Sequence, residues 1–222
     1  MRIEVNKNIL ASNASAAGKN RERLRRHRVF MINLMASPGA GKTSAIIKAI
    51  ERAPELKMAV IEGDIASEVD SLIIETMGIT ALQINTGGSC HLTASMITSA
   101  LNYLDLDVLD LIVIENVGNL VCPAEFDLGE TARVMIASIA EGDDKPDKYP
   151  LMFRQVDLVL LNKMDLLPYC DFDLPRFRQV VTMLNPTAPI LELSCKENRG
   201  VAGWGEWLTG ATASTRAAKA AD

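Results

Sequence analysis

Short apolar runs recur along the chain, and most of them are continuous rather than alternating with polar residues. The runs are Val29–Met35, Met58–Ile61, Ala81–Ile84, Leu109–Ile114, Val156–Leu161 and Pro189–Leu193. Continuous runs of this length are typical of strands in a parallel sheet that is buried on both faces. We therefore predict that each run is a strand of one mostly parallel central sheet.

Stretches with apolar residues at helical spacing separate these runs. They are Lys42–Arg52, Ser67–Met77, Leu92–Leu104 and Arg176–Leu184. Alternating strands and helices favour an α/β fold of three layers, with helices flanking the sheet. Residues 29–208 would form this domain. Residues 1–28 read as a basic, solvated N-terminal arm or helix, and residues 209–222 as a frayed tail.

Composition narrows the class of protein. A chain of 222 residues and 24.1 kDa suits one well-cored domain rather than two. The net charge of −5 disfavours nonspecific binding to nucleic acid. No apolar run approaches the roughly 20 residues that span a bilayer, so we predict no membrane association. We expect a cytoplasmic protein whose cysteines are reduced.

A phosphate-binding motif follows the first predicted strand and opens a helix. Residues 36–43 read Ala-Ser-Pro-Gly-Ala-Gly-Lys-Thr, which fits the P-loop pattern except that Ala36 replaces the first glycine. Lys42 would reach the β and γ phosphates, and the Thr43 hydroxyl would bind Mg²⁺. Backbone N–H groups at the helix start would cradle the phosphates. The candidate nucleotide-binding residues here are Gly39, Ala40, Gly41, Lys42, Thr43 and Ser44.

A second motif indicates which base is bound. Residues 162–165 read Asn-Lys-Met-Asp, the N-K-x-D pattern of guanine-specific GTPases. The Asp165 carboxylate can accept two hydrogen bonds from guanine, a donor pair that adenine lacks. Lys163 would cover the base, and Asn162 would tie this loop to the P-loop. After the next strand comes an element similar to the S-A-K loop of a guanine pocket, formed by Ser194, Cys195 and Lys196.

Acidic residues stand at the ends of two other predicted strands. Glu115 would hold Mg²⁺ through water, and Gly118 would offer its N–H to the γ-phosphate. Asp64 is a candidate for contact with Mg²⁺ or the attacking water, and the alternative is that it caps the following helix. Asp70 follows with the same two interpretations open.

Cysteine and histidine are scarce, with four and two residues respectively. Cys90 and His91 follow a glycine-rich loop at a predicted helix start, which would favour the thiolate. With Cys122 they form a ligand set suited to Ni²⁺ or Zn²⁺, either open or shared between two protomers. Alternatively, the cysteines are small buried hydrophobes. The other candidates are read as structural or surface residues: Cys170, Cys195 and His27.

Taken together, these motifs resemble the HypB family, GTPases that help to load nickel into [NiFe] hydrogenase. The resemblance covers about Val29 to Leu208 and is strongest over Glu115–Glu130. It also includes the P-loop, Glu62–Asp64, the Gly-Gly-Ser-Cys-His segment, the stretch 141–150 and Asn-Lys-Met-Asp-Leu-Leu-Pro. It implies a SIMIBI-class P-loop fold that hydrolyses GTP to GDP and phosphate.

The resemblance also implies a homodimer in the GTP state, with a metal site at the dimer interface. Cys90, His91 and Cys122 take its nickel- or zinc-ligand positions, and Lys148 would make a contact across the dimer. The implied partners are a HypA-like zinc/nickel accessory protein and the hydrogenase large-subunit precursor. Residues 1–28 contain no cysteine, so they lack the N-terminal nickel motif that some relatives carry.

Our hypothesis is a GTP-driven metallochaperone in which the loop after Glu115 links nucleotide to metal. One alternative is a urease-type nickel-loading GTPase, although such proteins carry Cys-Pro-His where Ala124 follows Cys122-Pro123 here. Two others are a P-loop small-molecule kinase and a GTP-dependent scaffold whose metal-type residues are inert.

Overall fold

The computed structural model describes the backbone of residues 5–64 and 69–217, and the side chains of residues 9–63 and 73–217. Its centre is a seven-stranded sheet in the order β3-β2-β4-β1-β5-β6-β7. Every strand pair is parallel. The strands are β1 Phe30–Ala36, β2 Met58–Asp64, β3 Thr80–Asn85, β4 Leu111–Glu115, β5 Ala132–Ser138, β6 Leu158–Asn162 and β7 Ile190–Glu192. The predicted α/β class is confirmed.

Helices cover both faces of the sheet. They are α1 Val5–His27, α2 Lys42–Arg52, α3 Val69–Thr76, α4 Ala94–Leu101, α5 Cys122–Glu125, α6 Lys145–Lys148, α7 Pro150–Arg154, α8 Leu174–Leu184 and α9 Val201–Ala217. One face carries α2, α3 and α9, and the other carries α1, α4, α7 and α8. None of the helices in the described ranges is long and apolar enough to cross a membrane.

The central strand β1 shows why its apolar run is continuous. Ile32 and Leu34 pack toward α2 and α9, whereas Met31 packs toward α4 and Met35 toward α7 and α8. All four side chains are fully buried. Because successive residues of a strand point to opposite faces, a strand covered on both faces needs apolar residues at nearly every position.

Strand β5 is absent from the sequence prediction. It lies between β1 and β6 and is paired with both. Arg133 interrupts its apolar pattern, and this side chain is accommodated because its guanidinium binds Glu130 at 2.6 Å and Gln155 at 2.7 Å. A charged residue near the start of a strand hides that strand from a search for apolar runs.

Of the arm or helix expected for residues 1–28, the structure has the helix α1, but one side of it is buried rather than solvated, and the tail expected to be frayed is helical as far as Ala217. Helix α1 has a buried side, on which Ala17 and Leu24 are at most 2% exposed. Helix α9 continues to Ala217, with Leu208 and Thr212 buried. It packs on α2, where the Trp204 indole N–H donates to the Ala45 carbonyl at 3.0 Å. Residues 218–222 lie outside the described ranges.

Candidate functional site

The P-loop lies at the carboxyl edge of the sheet, between β1 and α2. Because the strands are parallel, the ends of β1, β4, β6 and β7 meet at this edge, where α/β folds bind ligands. Gly41 has φ of 103°, and a Cβ on it would lie 2.5 Å from Asn162 Nδ2. A side chain at position 41 would therefore be strained in its backbone and would displace the loop after β6.

Asn162 connects the P-loop with the loop after β7. Its amide donates to the Ala40 carbonyl at 3.0 Å, and its Oδ1 accepts from the Cys195 N–H at 3.2 Å. The next residue, Lys163, donates from Nζ to the Gly39 carbonyl at 2.6 Å. The motif after β6 thus contacts the P-loop at two neighbouring carbonyls.

The Asp165 carboxylate faces solvent beside the loop after β7. The Ser194 hydroxyl donates to it at 2.6 Å and lowers the pKa of Asp165, with Lys196 adding a smaller electrostatic contribution. Asp165 is therefore an ionised acceptor at neutral pH. Cys195 is buried among apolar side chains, and this burial raises its pKa to about 11. Its thiol stays protonated and packs as a small hydrophobe, in agreement with the structural assignment.

Glu115 ends β4 next to the start of α2. The Thr43 hydroxyl lies 3.2 Å from one carboxylate oxygen of Glu115 and 3.3 Å from the other, and Lys42 Nζ lies 4.0 Å away. A carboxylate and a hydroxyl at this spacing are the hard oxygen ligands that Mg²⁺ prefers. These residues therefore fit a magnesium ion.

Gly118 brings the segment after β4 against the P-loop. A Cβ on Gly118 would lie 3.0 Å from three atoms of Pro38, two of which are backbone atoms. A side chain at position 118 would therefore push this segment away from the P-loop.

Four further candidate residues are not among the contacts given above. Asp64 ends β2 and Asp70 lies in the first turn of α3, but their side chains are outside the described ranges. Lys148 is exposed on α6, and its ammonium pairs with Asp144, the residue just before this helix. Ser44 is exposed in the first turn of α2.

Cys90, His91 and Cys122 are brought together from two separate loops. Cys90 Sγ lies 3.0 Å from Cys122 Sγ and 3.6 Å from His91 Nδ1. The three ligand atoms all lie within 4.8 Å of one another, so one ion could contact them all. Two sulfurs and one imidazole nitrogen suit Ni²⁺ or Zn²⁺ and leave a coordination position open.

The helix start expected at Cys90 and His91 lies further along the chain. Helix α4 begins only at Ala94, with Thr93 as its cap, so Cys90 precedes the first turn. The hydrogen bond shared with Cys90, and then burial, raise the pKa of Cys122. Burial lowers the pKa of His91 although Glu125 opposes this. His91 is thus ready as a neutral ligand, whereas Cys122 must lose a proton to bind a metal.

Asparagines that the sequence prediction missed tie the segment after Glu115 to the Cys90 loop. Asn116 accepts from the Leu92 N–H at 3.3 Å and donates to Asn33 of β1 at 3.0 Å. Asn119 donates to the Cys90 carbonyl at 3.3 Å. The available signal was Asn33 itself, because an amide inside a central apolar strand requires a buried partner.

Comparison with known proteins gives relatives of this chain. A family model described as "CobW/HypB/UreG, nucleotide-binding domain" matches residues 30–192. Hydrogenase maturation factor HypB of Azotobacter vinelandii is 44% identical over 207 residues, which cover 93% of this chain and 68% of the relative.

Two solved structures have the same fold. HypB from Archaeoglobus fulgidus is 40% identical with a TM-score of 0.86, covering 91% of this chain and 99% of that one. HypB from Helicobacter pylori, solved in complex with nickel, is 34% identical with a TM-score of 0.87, covering 91% and 96%. The chain therefore belongs to the HypB family of hydrogenase maturation factors, within the group of CobW/HypB/UreG nucleotide-binding domains.

Proposed function

We propose that this protein is a GTP-hydrolysing metallochaperone that binds nickel, or zinc, and assists nickel insertion into [NiFe] hydrogenase. The observation that carries the proposal is the segment from Glu115 to Cys122. Its first residue lies beside Thr43 of the P-loop, Gly118 lies against Pro38, and its last residue contacts Cys90. A nucleotide that moves this segment would therefore move a metal ligand.

For the nucleotide, the residues have separate roles in this proposal. Asp165 accepts hydrogen bonds from guanine, Lys42 neutralises the phosphates, and Gly118 donates its N–H to the γ-phosphate. Magnesium held by Thr43 and Glu115 would supply further charge neutralisation. Asp64 and Asp70 remain candidates for contact with that ion or with the attacking water, because β2 ends at the same edge of the sheet.

For the metal, the three ligands of one chain leave a position for water, a second copy of the chain or the receiving protein. We propose a homodimer in the GTP state, with Lys148 making a contact across it, since this ammonium is exposed on α6. A HypA-like accessory protein would deliver the nickel, and the hydrogenase large-subunit precursor would receive it. The nickel complex of the Helicobacter pylori relative supports the choice of metal.

Nickel affinity should differ between the GDP-bound protein and the protein bound to a non-hydrolysable GTP analogue. We expect a difference of about 5- to 150-fold, the usual range of coupling between two sites. Competition titration with a chromophoric chelator measures it. The Asn119→Ala variant should show a smaller difference, because it loses the hydrogen bond to the Cys90 carbonyl.

Equal affinities in the two nucleotide states of the unmodified protein would refute the coupling. Phosphate release from GTP in the absence of any acceptor molecule separates a GTPase from a small-molecule kinase. A kinase would show turnover only when its acceptor is added.

Nickel affinity should also rise with pH through neutrality. The raised pKa of Cys122 keeps its proton bound at neutral pH, and the metal competes with that proton, so binding weakens as pH falls. The lowered pKa of His91 makes it neutral already, so it adds little to this slope. Calorimetry at pH 6.5 and 8 in buffers of different ionisation enthalpy measures both the affinity and the protons released. Binding that neither releases protons nor depends on pH would contradict thiol ligation.

A further inference from the structure

Helix α1 contacts both of the segments that carry the candidate metal ligands. Asn13 donates from Nδ2 to the Asp127 carbonyl at 2.7 Å, and its Oδ1 accepts from the Ala94 N–H at 2.8 Å. Ala94 begins α4 just after the Cys90-His91 loop, and Asp127 follows α5, which starts at Cys122. One amide group therefore links the two segments.

Asn20 makes the same link about two helical turns later. Its Nδ2 lies 2.8 Å from the Ala94 carbonyl and 3.0 Å from the Leu128 carbonyl. Its Oδ1 accepts from the Thr98 hydroxyl at 2.7 Å, so the orientation of the amide is defined on both sides. Ala94 is thus held through its N–H by Asn13 and through its carbonyl by Asn20.

Helix α1 packs closely against residues 127–129, the segment that follows α5. A Cβ on Gly129 would lie 2.5 Å from the Ala17 carbonyl oxygen and 2.7 Å from Asn20 Cβ. The Arg21 guanidinium binds both carboxylate oxygens of Asp127, at 2.8 and 2.9 Å. The Arg21 side chain and the close approach of the α1 backbone therefore also keep the segment after α5 in place.

We infer that α1 positions the metal site, with Asn13 and Asn20 as the positioning residues. They do not touch the ligand atoms. By joining the start of α4 to residues 127–128, they set the separation between the Cys90-His91 loop and Cys122 before any metal is bound. The metal then does not have to order two independent loops, a cost that would lower its affinity. This inference rests on the proposed metal-binding function of the trio.

The test compares Ni²⁺ affinity in four proteins, the unmodified chain and the variants Asn13→Ala, Asn20→Ala and Asn185→Ala. Asn185 is the matched control, since it is a buried asparagine that donates to the Phe153 and Val156 carbonyls at 3.1 and 2.7 Å, on the α7 and α8 side of the sheet. Each affinity is measured without nucleotide by chelator competition. The thiolate-to-nickel absorption band reports the geometry of the site, and thermal unfolding and GTP binding report the integrity of the fold.

We expect Asn13→Ala and Asn20→Ala to weaken Ni²⁺ binding by about 10- to 100-fold, the effect of losing a residue that supports metal ligands. Their absorption band should shift, while GTP affinity stays unchanged. Asn185→Ala should lose thermal stability but keep its nickel affinity. If Asn20→Ala does not fold, Asn13→Ala carries the test, because its side chain is the more exposed, at 9% against 1%.

Two outcomes would overturn the inference and can be told apart. Unchanged nickel affinity in Asn13→Ala, or an equal loss in Asn185→Ala, refutes the positioning role while the proposed function stands. If the unmodified protein binds Ni²⁺ no more tightly than its Cys90→Ala variant, the proposed function itself fails and the positioning role with it.

Discussion

Replacing Asp165 by Asn should weaken GTP binding by about 100- to 10,000-fold. The carboxylate is ionised and partly exposed beside the loop after β7, where it can accept two hydrogen bonds from guanine. Hydrogen bonds to a charged group contribute about 1.5–3 kcal/mol each, so losing two costs about 3–6 kcal/mol. The Asn side chain offers a single acceptor, its amide oxygen. Its NH2 group would face one of the two N–H donors of guanine. Displacement of a fluorescent GDP analogue measures the change.

Nucleotide preference and a control variant test the same assignment of Asp165. Xanthosine triphosphate should bind the Asp165→Asn variant better than GTP does, because xanthine carries an acceptor where guanine carries its exocyclic amine. The matched control is Asp171→Asn, which removes an exposed carboxylate from the following loop and should leave GTP affinity unchanged. GTP binding that is insensitive to Asp165→Asn would refute the assignment of the base-binding residue.

Removing both cysteines in a Cys90→Ala/Cys122→Ala variant should weaken nickel binding by more than about 100-fold. That figure is the upper end of what is lost when only a supporting residue is replaced, and here two of three direct ligands are removed. His91 would remain as a single neutral imidazole. Nickel titration with stoichiometry measured by elemental analysis checks the result.

The control for this second experiment is Cys170→Ala, since Cys170 is half-buried in the loop before α8 and lies outside the trio. It should bind nickel normally. GTP hydrolysis measured with Mg²⁺ and without nickel should persist in the double variant, because the P-loop contacts do not involve the cysteines. Unchanged nickel stoichiometry in the double variant would instead favour a GTP-dependent scaffold whose cysteines are inert.

Local patterns predicted the fold wherever each strand was a continuous apolar run. The helix Lys42–Arg52 was also predicted with its observed bounds, since the motif residues mark its start. Strand β5 was missed because Arg133 interrupts its apolar pattern, and one of the groups that bind the guanidinium, Gln155, is brought near only in the folded chain. The buried side of α1 was missed for a related reason, as its polar contacts are asparagine amides matched to distant backbone groups.

The contacts of the candidate site also fall into those that the sequence predicts and those that only the folded structure shows. The contact between Asn162 and the P-loop could be predicted, because a four-residue motif at a strand end leaves few possible partners. The links made by Asn116 and Asn119 could not, since an asparagine in a loop is compatible with many partners. The protonation of Cys122 likewise depends on its distance from Cys90 rather than on its place in the chain.

By itself, the sequence determined the chemistry that this protein has available: a P-loop, a guanine-type motif and three metal-type ligands. These are local properties of the sequence. They depend on which residue types are present and on how they are spaced within short motifs at the ends of strands. Only the tertiary structure decided that Cys90 and Cys122 approach to 3.0 Å and that α1 joins their segments. Such distances depend on how β4, α4 and α1 pack together, and packing sums many weak contacts between residues far apart in the chain.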